Sequence, residues 1–210
     1  MTRRTHESNM RIGVGEWPQA DLLRVGIYDL NSKTLGLIGL GNVGRRVAEL
    51  GKAFGMRVIY NKRTRLPEGE ELAQGVSYGT IGDVARESDV VGIVASSTSD
   101  DPPIVNDRLV ELMKPGAVLI NVARGRLVDE CAVLHALRHG NLGGYATDVM
   151  CDEPFMNHAL LDRRDVIATP HIAGRSREAM AALSSSCRRN LEAILQGRQS
   201  DVTGRVDKQS

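Results

Sequence analysis

The sequence predicts an α/β protein built on a doubly wound parallel sheet, and three observations carry that expectation. Short, near-continuous apolar runs recur from about Lys33 onward, and longer amphipathic stretches separate them. A glycine-rich turn, Gly39-x-Gly41-x-x-Gly44, closes the first run and opens the first long stretch. Apolar runs without alternation are the mark of strands buried on both faces. Their repetition with helices between them is the pattern of a parallel sheet covered on both sides.

In chain order, residues 34–40, 57–60, 90–94, 117–121, 144–147 and 166–168 are the expected strands. The expected helices are 43–54, 80–87, 107–113, 130–139 and 175–195. Asp129 is placed to cap the fourth of these, and Gly140 to stop it. Residues 1–32 carry no clear period, with Trp17 as their large apolar anchor, and from Gly197 onward the chain is polar.

The bulk numbers bound what such a chain does. At 210 residues it holds one domain, or one and a fragment. Hydrophobic residues at 41% and charged residues at 25% are ordinary globular values. A formal net charge of +1 argues for neither a nucleic-acid nor a membrane partner. No apolar run reaches transmembrane length, and the expected location is the cytoplasm. The three cysteines are odd in number and form no Cys-x-x-Cys, so neither a disulfide framework nor a metal site is expected.

The glycine turn takes its meaning from its position between a strand and a helix. There Gly39 allows the tight turn and Gly41 lets backbone approach a pyrophosphate. Gly44 allows close packing of helix on strand, while Asn42 and Val43 begin a helix whose N-terminus favours phosphate. The alternative is an ordinary glycine-rich turn. The ribose-reading position lies about 20 residues further on, where the sequence runs Tyr60-Asn61-Lys62-Arg63-Thr64-Arg65. Asn61 lacks the charge that would accept from the ribose hydroxyls of NAD, whereas Lys62, Arg63 and Arg65 suit a 2′-phosphate. The expected cofactor is NADP or NAD, with the lean to NADP. The alternative is a solvated basic turn.

Further motifs follow in order. They are Lys33-Thr34-Leu35-Gly36 with the glycine turn, Met113-Lys114-Pro115-Gly116-Ala117, and Leu119-Ile120-Asn121-Val122-Ala123-Arg124-Gly125. Leu127-Val128-Asp129-Glu130, Asp148-Val149, Glu153-Pro154 and Thr169-Pro170-His171-Ile172-Ala173-Gly174 complete them. From roughly Arg11 to Gly197 the chain resembles the D-isomer-specific 2-hydroxyacid dehydrogenases, which include phosphoglycerate dehydrogenases and glyoxylate/hydroxypyruvate reductases.

That resemblance implies a catalytic trio of Arg124, Glu153 and His171, acting on a small 2-hydroxy or 2-keto acid. The planar guanidinium of Arg124 suits a carboxylate and its adjacent carbonyl. A protonated His171 suits proton donation to the carbonyl oxygen that receives a hydride, and the reverse. Glu153 suits the holding of that ring and the raising of its pKa. Asp148 resembles the residue that binds the nicotinamide carboxamide. Val122 and Ala123 are expected against the cofactor, as are Gly174 and Ser96. Ser96 lies in a loop that departs from the family, which has proline near Ser96 and threonine near Asp101. A homodimer is implied as well.

The resemblance divides the chain into a remnant of an N-terminal segment and dimer arm (1–24), a Rossmann-like dinucleotide-binding domain (25–174), a returning helix (175–196) and a disordered tail (197–210). Most of the substrate domain is then absent, and activity is expected to suffer. Two other readings stay open: a non-catalytic dinucleotide-binding or interaction module, and a metal or thiol protein using His135, His139, Cys131 and Cys151.

Overall fold

A computed structural model describes residues 4–96, 102–154 and 159–204. The chain divides into two compact units, Met1–Pro170 and His171–Ser210.

The first unit holds a seven-stranded, all-parallel sheet. Its strands are β1 (Thr34–Ile38), β2 (Arg57–Asn61), β3 (Ser77–Tyr78), β4 (Val90–Ile93), β5 (Ala117–Asn121), β6 (Leu142–Thr147) and β7 (Val166–Ala168). The spatial order is β3-β2-β1-β4-β5-β6-β7. The doubly wound sheet is therefore present, and its order reverses between β1 and β4, where such sheets bind ligands beyond their carboxyl ends.

Successive strand residues feed opposite cores, as the two-residue pleat requires. Val58 and Tyr60 enter one apolar cluster with Leu35, Leu37 and Met56, and Ile59 enters the other with Val91, Ile93 and Leu119. All five residues of β1 are buried, which is why that strand reads as one apolar run.

The helices are α1 (Thr5–Gly13), α2 (Gln19–Val25), α3 (Asn42–Ala53), α4 (Glu68–Gln74), α5 (Ile81–Glu87), α6 (Asp107–Leu112), α7 (Glu130–Arg138) and, in the second unit, α8 (Arg177–Leu195). Their starts carry recognisable caps. Asp129 accepts from the Cys131 and Ala132 N–H groups at 2.9 and 3.2 Å, and α7 ends before Gly140 at φ 76°. Thr80 and Asp83 bond reciprocally at the head of α5.

Four elements escaped the pattern. Helices α1 and α2 lie in the segment without a clear period, and neither contains a buried residue. Trp17 is 78% exposed, so it anchors nothing within the chain. Helix α4 buries an acid, Glu71, and exposes Leu72, which inverts the usual apolar signal. Strand β3 is only two residues long. The expected tail contains a 3₁₀ turn at Gln199–Asp201, and Asn190 Nδ2 donates to the Thr203 carbonyl at 2.9 Å. Residues 205–210 lie outside the described residues.

Candidate active site

The carboxyl ends of β1 and β4 meet at the glycine turn. Gly39 sits at φ 105°, and a Cβ there would lie 2.6 Å from the Ala95 nitrogen. A Cβ on Gly44 would lie 2.7 Å from the Gly39 carbonyl oxygen. These two glycines let the turn, the first turn of α3 and the start of the loop after β4 close on one another.

Gly41 is different: a Cβ there would meet nothing within 4 Å. It stands at the head of α3, a twelve-residue helix with no acid in its first turn and no side-chain cap among the described residues. Asn42 and Val43 are exposed beside it. Uncapped N–H groups and a helix dipole facing open space fit the pyrophosphate of a dinucleotide. Exposed Ser96 follows Ala95 at this place, and residues 97–101, including Asp101, lie outside the described residues.

At the end of β2, Asn61 is engaged through both backbone and side chain. Its carbonyl accepts the Gly39 N–H at 2.8 Å, and its Nδ2 donates to the Gly79 carbonyl at 2.8 Å. Lys62 is half-buried, while Arg63 and Thr64 are exposed. Arg65 requires a correction. Its Nε and Nη2 donate to the two oxygens of Glu71 at 2.9 and 2.8 Å, so its fork is turned inward rather than offered to a phosphate. That pair, with the Tyr60 hydroxyl second, holds the Glu71 carboxyl down to about 2.

The Arg124 turn is built by Asn121, which is fully buried. Asn121 Nδ2 donates to the Arg124 carbonyl at 3.0 Å, and its Oδ1 accepts the Ala123 N–H at 3.1 Å. Val122 is exposed and Ala123 buried, and the exposed Arg124 donates to the Ala123 carbonyl at 2.6 Å. A Cβ on Gly125 would lie 2.1 Å from the Met150 carbonyl, so only glycine lets this turn press on the loop that carries Glu153. In that loop Glu153 Oε1 accepts the Met150 N–H at 3.0 Å, and Glu130 Oε1 accepts the Cys151 N–H at 3.0 Å. Residues 155–158 lie outside the described residues.

Asp148 joins three strand ends. It is 5% exposed, its N–H donates to the Asn121 carbonyl at 3.0 Å, and its Oδ1 accepts the Thr169 hydroxyl at 2.5 Å. His171 opens the second unit in the left-handed region at φ 55°, half-buried. Gly174 follows it, and Ser176 caps α8. Arg124 and Glu153 thus belong to one unit and His171 to the other.

Known proteins supply the family. Residues 1–173 match the family described as D-isomer specific 2-hydroxyacid dehydrogenase, NAD binding domain. The chain belongs to this family. Among D-2-hydroxyacid dehydrogenases it is 35% identical over 202 residues to a glyoxylate reductase of Thermococcus litoralis, covering 94% of this chain and 60% of that protein. It is 37% identical to the glyoxylate reductase of Aeropyrum pernix, with 93% and 60% covered. The crystal structure of a glyoxylate reductase from Paecilomyes thermophila superposes with a TM-score of 0.88 at 30% identity, covering 100% of this chain and 62% of that one. A D-lactate dehydrogenase from Aquifex aeolicus, solved with NAD and lactic acid, gives a TM-score of 0.84 at 27% identity, with 100% and 66% covered. The chain therefore spans about three-fifths of the length of the curated relatives it matches.

Within this member of the family, several residues that shape the candidate site carried no separate signal. Asn121 and Gly125 stood inside the Arg124 motif but without roles, and Thr169 stood inside the His171 motif. Glu130 and Tyr60 stood inside quoted segments without roles of their own, and Glu71 stood in none.

His135 and His139 stack at 4.1 Å between ring centroids, and His139 Nδ1 lies 2.8 Å from the His135 carbonyl. Among the described residues no group of three or more His, Cys, Asp or Glu is arranged to hold a metal. Cys131, Cys151 and Cys187 are free thiols. Burial, with Glu130 and Asp152 nearby, pushes the Cys151 thiol up to about 11, against the thiolate that reactive cysteines need. No helix among the described residues is long and apolar enough to cross a membrane.

Proposed function

We propose that this chain binds a nicotinamide dinucleotide, NADP in preference to NAD, and serves the interconversion of a small 2-hydroxy acid and its 2-keto acid. The observation that carries the reading is the open cradle at Gly41, between the strand ends where the sheet order reverses. Beyond it the Arg124 turn and Asp148 stand at the carboxyl ends of β5 and β6, on the same edge of the sheet. The preference for NADP is supported by Arg63, exposed on the β2 loop, and by Lys62 beside it. Neither has an ion-pair partner among the described residues.

A bound nicotinamide supplies or takes up the hydride of such a reaction. The chain's own residues do the rest. Gly39, Gly41 and Gly44, with Asn42 and Val43, hold the pyrophosphate, and Asn61 and Arg63 meet the ribose end. Ser96, Val122, Ala123 and Gly174 line the remaining cofactor surface, and Asp148, held by Thr169, orients the carboxamide. Arg124 binds the substrate carboxylate by paired hydrogen bonds. His171 carries the proton that moves to and from the substrate oxygen, and Glu153 is the third member of that trio. The names of the relatives make glyoxylate the first acid to test. A homodimer is supported by the exposed apolar side chains Met10, Ile12, Val14 and Trp17 around α1.

The test is a fluorescence titration with NADPH and NADH, followed by coenzyme oxidation with glyoxylate and other 2-keto acids. Saturable binding, tighter for NADPH, with acid-dependent oxidation is the expected result. Failure to bind either coenzyme overturns the reading. Binding without turnover of any 2-keto acid assigns the chain to the non-catalytic dinucleotide-binding modules instead.

A further inference from the structure

The loop between β2 and α4 is tied down at both ends, and the groups at its far end are ones that the cofactor reading does not use. At its start Asn61 Nδ2 is bonded to the Gly79 carbonyl. At its end stands a buried polar knot. Tyr60 is fully buried, and its hydroxyl donates to Glu71 Oε1 at 2.7 Å while accepting the Leu66 N–H at 2.9 Å. Glu71 is 6% exposed and receives the Arg65 fork on both oxygens. The Arg65 guanidinium lies 5.3 Å from the Tyr78 ring centroid, and Tyr78 meets Tyr60 edge-on at 5.5 Å. What the ties leave facing outward is a short tip, Lys62-Arg63-Thr64.

A carboxylate in an apolar layer is costly to keep, and an apolar pair of similar size would fill the same space with less penalty. The sheet itself has no need of it, because β2 is already paired on both sides. The knot does two things that an apolar pair would not. It fixes Arg65 and Leu66, so the tip is ordered before any ligand arrives, which lowers the cost of binding. It also withdraws the Arg65 charge, leaving phosphate recognition to the residues of the tip.

We propose that Glu71 and Tyr60 are positioning residues for the coenzyme's 2′-phosphate, holding the Lys62–Thr64 tip in place to meet it through Arg65 and Leu66. The proposal rests on the NADP reading above and adds to it the residues that make the basic tip selective.

The experiment compares NADPH and NADH affinities of the full chain with those of Tyr60→Phe, Glu71→Gln and Arg65→Lys, each checked by thermal melting. The wild-type chain binds NADPH more tightly. Each variant is expected to lose about three- to tenfold of that preference, the scale of one or two hydrogen bonds, through weaker NADPH binding at nearly constant NADH affinity. In an Arg63→Ala background, Glu71→Gln is expected to change the preference no further, because the two act through one contact. Arg65→Lys replaces an exposed side chain and keeps its charge, so the test stands even where a buried variant fails to fold.

Unchanged preference in folded variants overturns the positioning role and leaves the NADP reading intact. So does an equal loss for both coenzymes, or a Glu71→Gln effect undiminished in Arg63→Ala. A wild-type chain that binds NADH as tightly as NADPH overturns the NADP reading, and the inference falls with it.

Discussion

Gly39 and Gly41 are two residues apart in one motif, yet the structure gives them different duties. At Gly39 a side chain meets both a left-handed backbone and the Ala95 nitrogen. Gly39→Ala is expected to cost about 2 kcal/mol or more, since a strained φ and a close backbone approach add. In a chain of this size that lowers the melting temperature by roughly 4–8 °C, which calorimetry or circular dichroism reads directly. At Gly41 the backbone is ordinary and the space ahead is open. Gly41→Ala should therefore melt like the parent while its coenzyme affinity falls by about tenfold or more, because the methyl group stands where phosphate approaches the helix N–H groups. A variant whose melting and affinity move together would show that Gly41 serves packing. The cysteines divide in a similar way. All three cysteines are exposed, but with its thiol pushed up to about 11, Cys151 is expected to be alkylated by iodoacetamide near pH 8 more slowly than Cys131 and Cys187, as peptide mapping over time will reveal.

Helix α4 shows how an element escapes a reading based on apolar period. Its buried position is Glu71, preceded by the charges of Glu68 and Glu70 and followed by the exposed Leu72, so no stripe is visible. The strands were legible for the opposite reason: β1, β4 and β5 are buried along nearly their whole length, and burial on both faces writes itself as continuous apolar sequence. The basic run after β2 was legible in composition but not in direction. Arg65 reads like its neighbours until the partner six residues away is placed beside it. The pair also ties this element to pH. Glu71 is held from its ordinary 4.5 down to about 2, so the folded chain binds a proton at this site less readily than the unfolded chain. A depressed carboxyl stabilises the fold above its unfolded pKa, and that contribution is lost as pH falls from 4.5 towards 2. Melting temperatures of the parent should fall across that window more steeply than those of Glu71→Gln. Parallel curves would mean that the Arg65–Glu71 bond is too weakly held in solution to depress the carboxyl.

At the scale of the whole molecule, the candidate chemistry is divided between two units. The residues proposed for the cofactor, Gly174 apart, lie in Met1–Pro170, and His171 opens the second unit. The resemblance named the trio in order and set a boundary after residue 174, which leaves His171 with the cofactor domain, whereas the compact units part after Pro170. The division makes binding and chemistry separable. A ligand that binds only the folded state stabilises it by about 2.7 kcal/mol when present at 100 times its dissociation constant, which for a chain of this length raises melting by roughly 5–10 °C. His171→Ala is expected to keep that NADPH-dependent rise in full, since the cradle and the β2 tip are untouched. The same variant should lose turnover with 2-keto acids by about 100-fold or more, the scale of a missing general acid. Retention of most of the turnover would remove His171 from the proton-transfer role. A lost temperature shift would instead place His171 among the groups that hold the coenzyme.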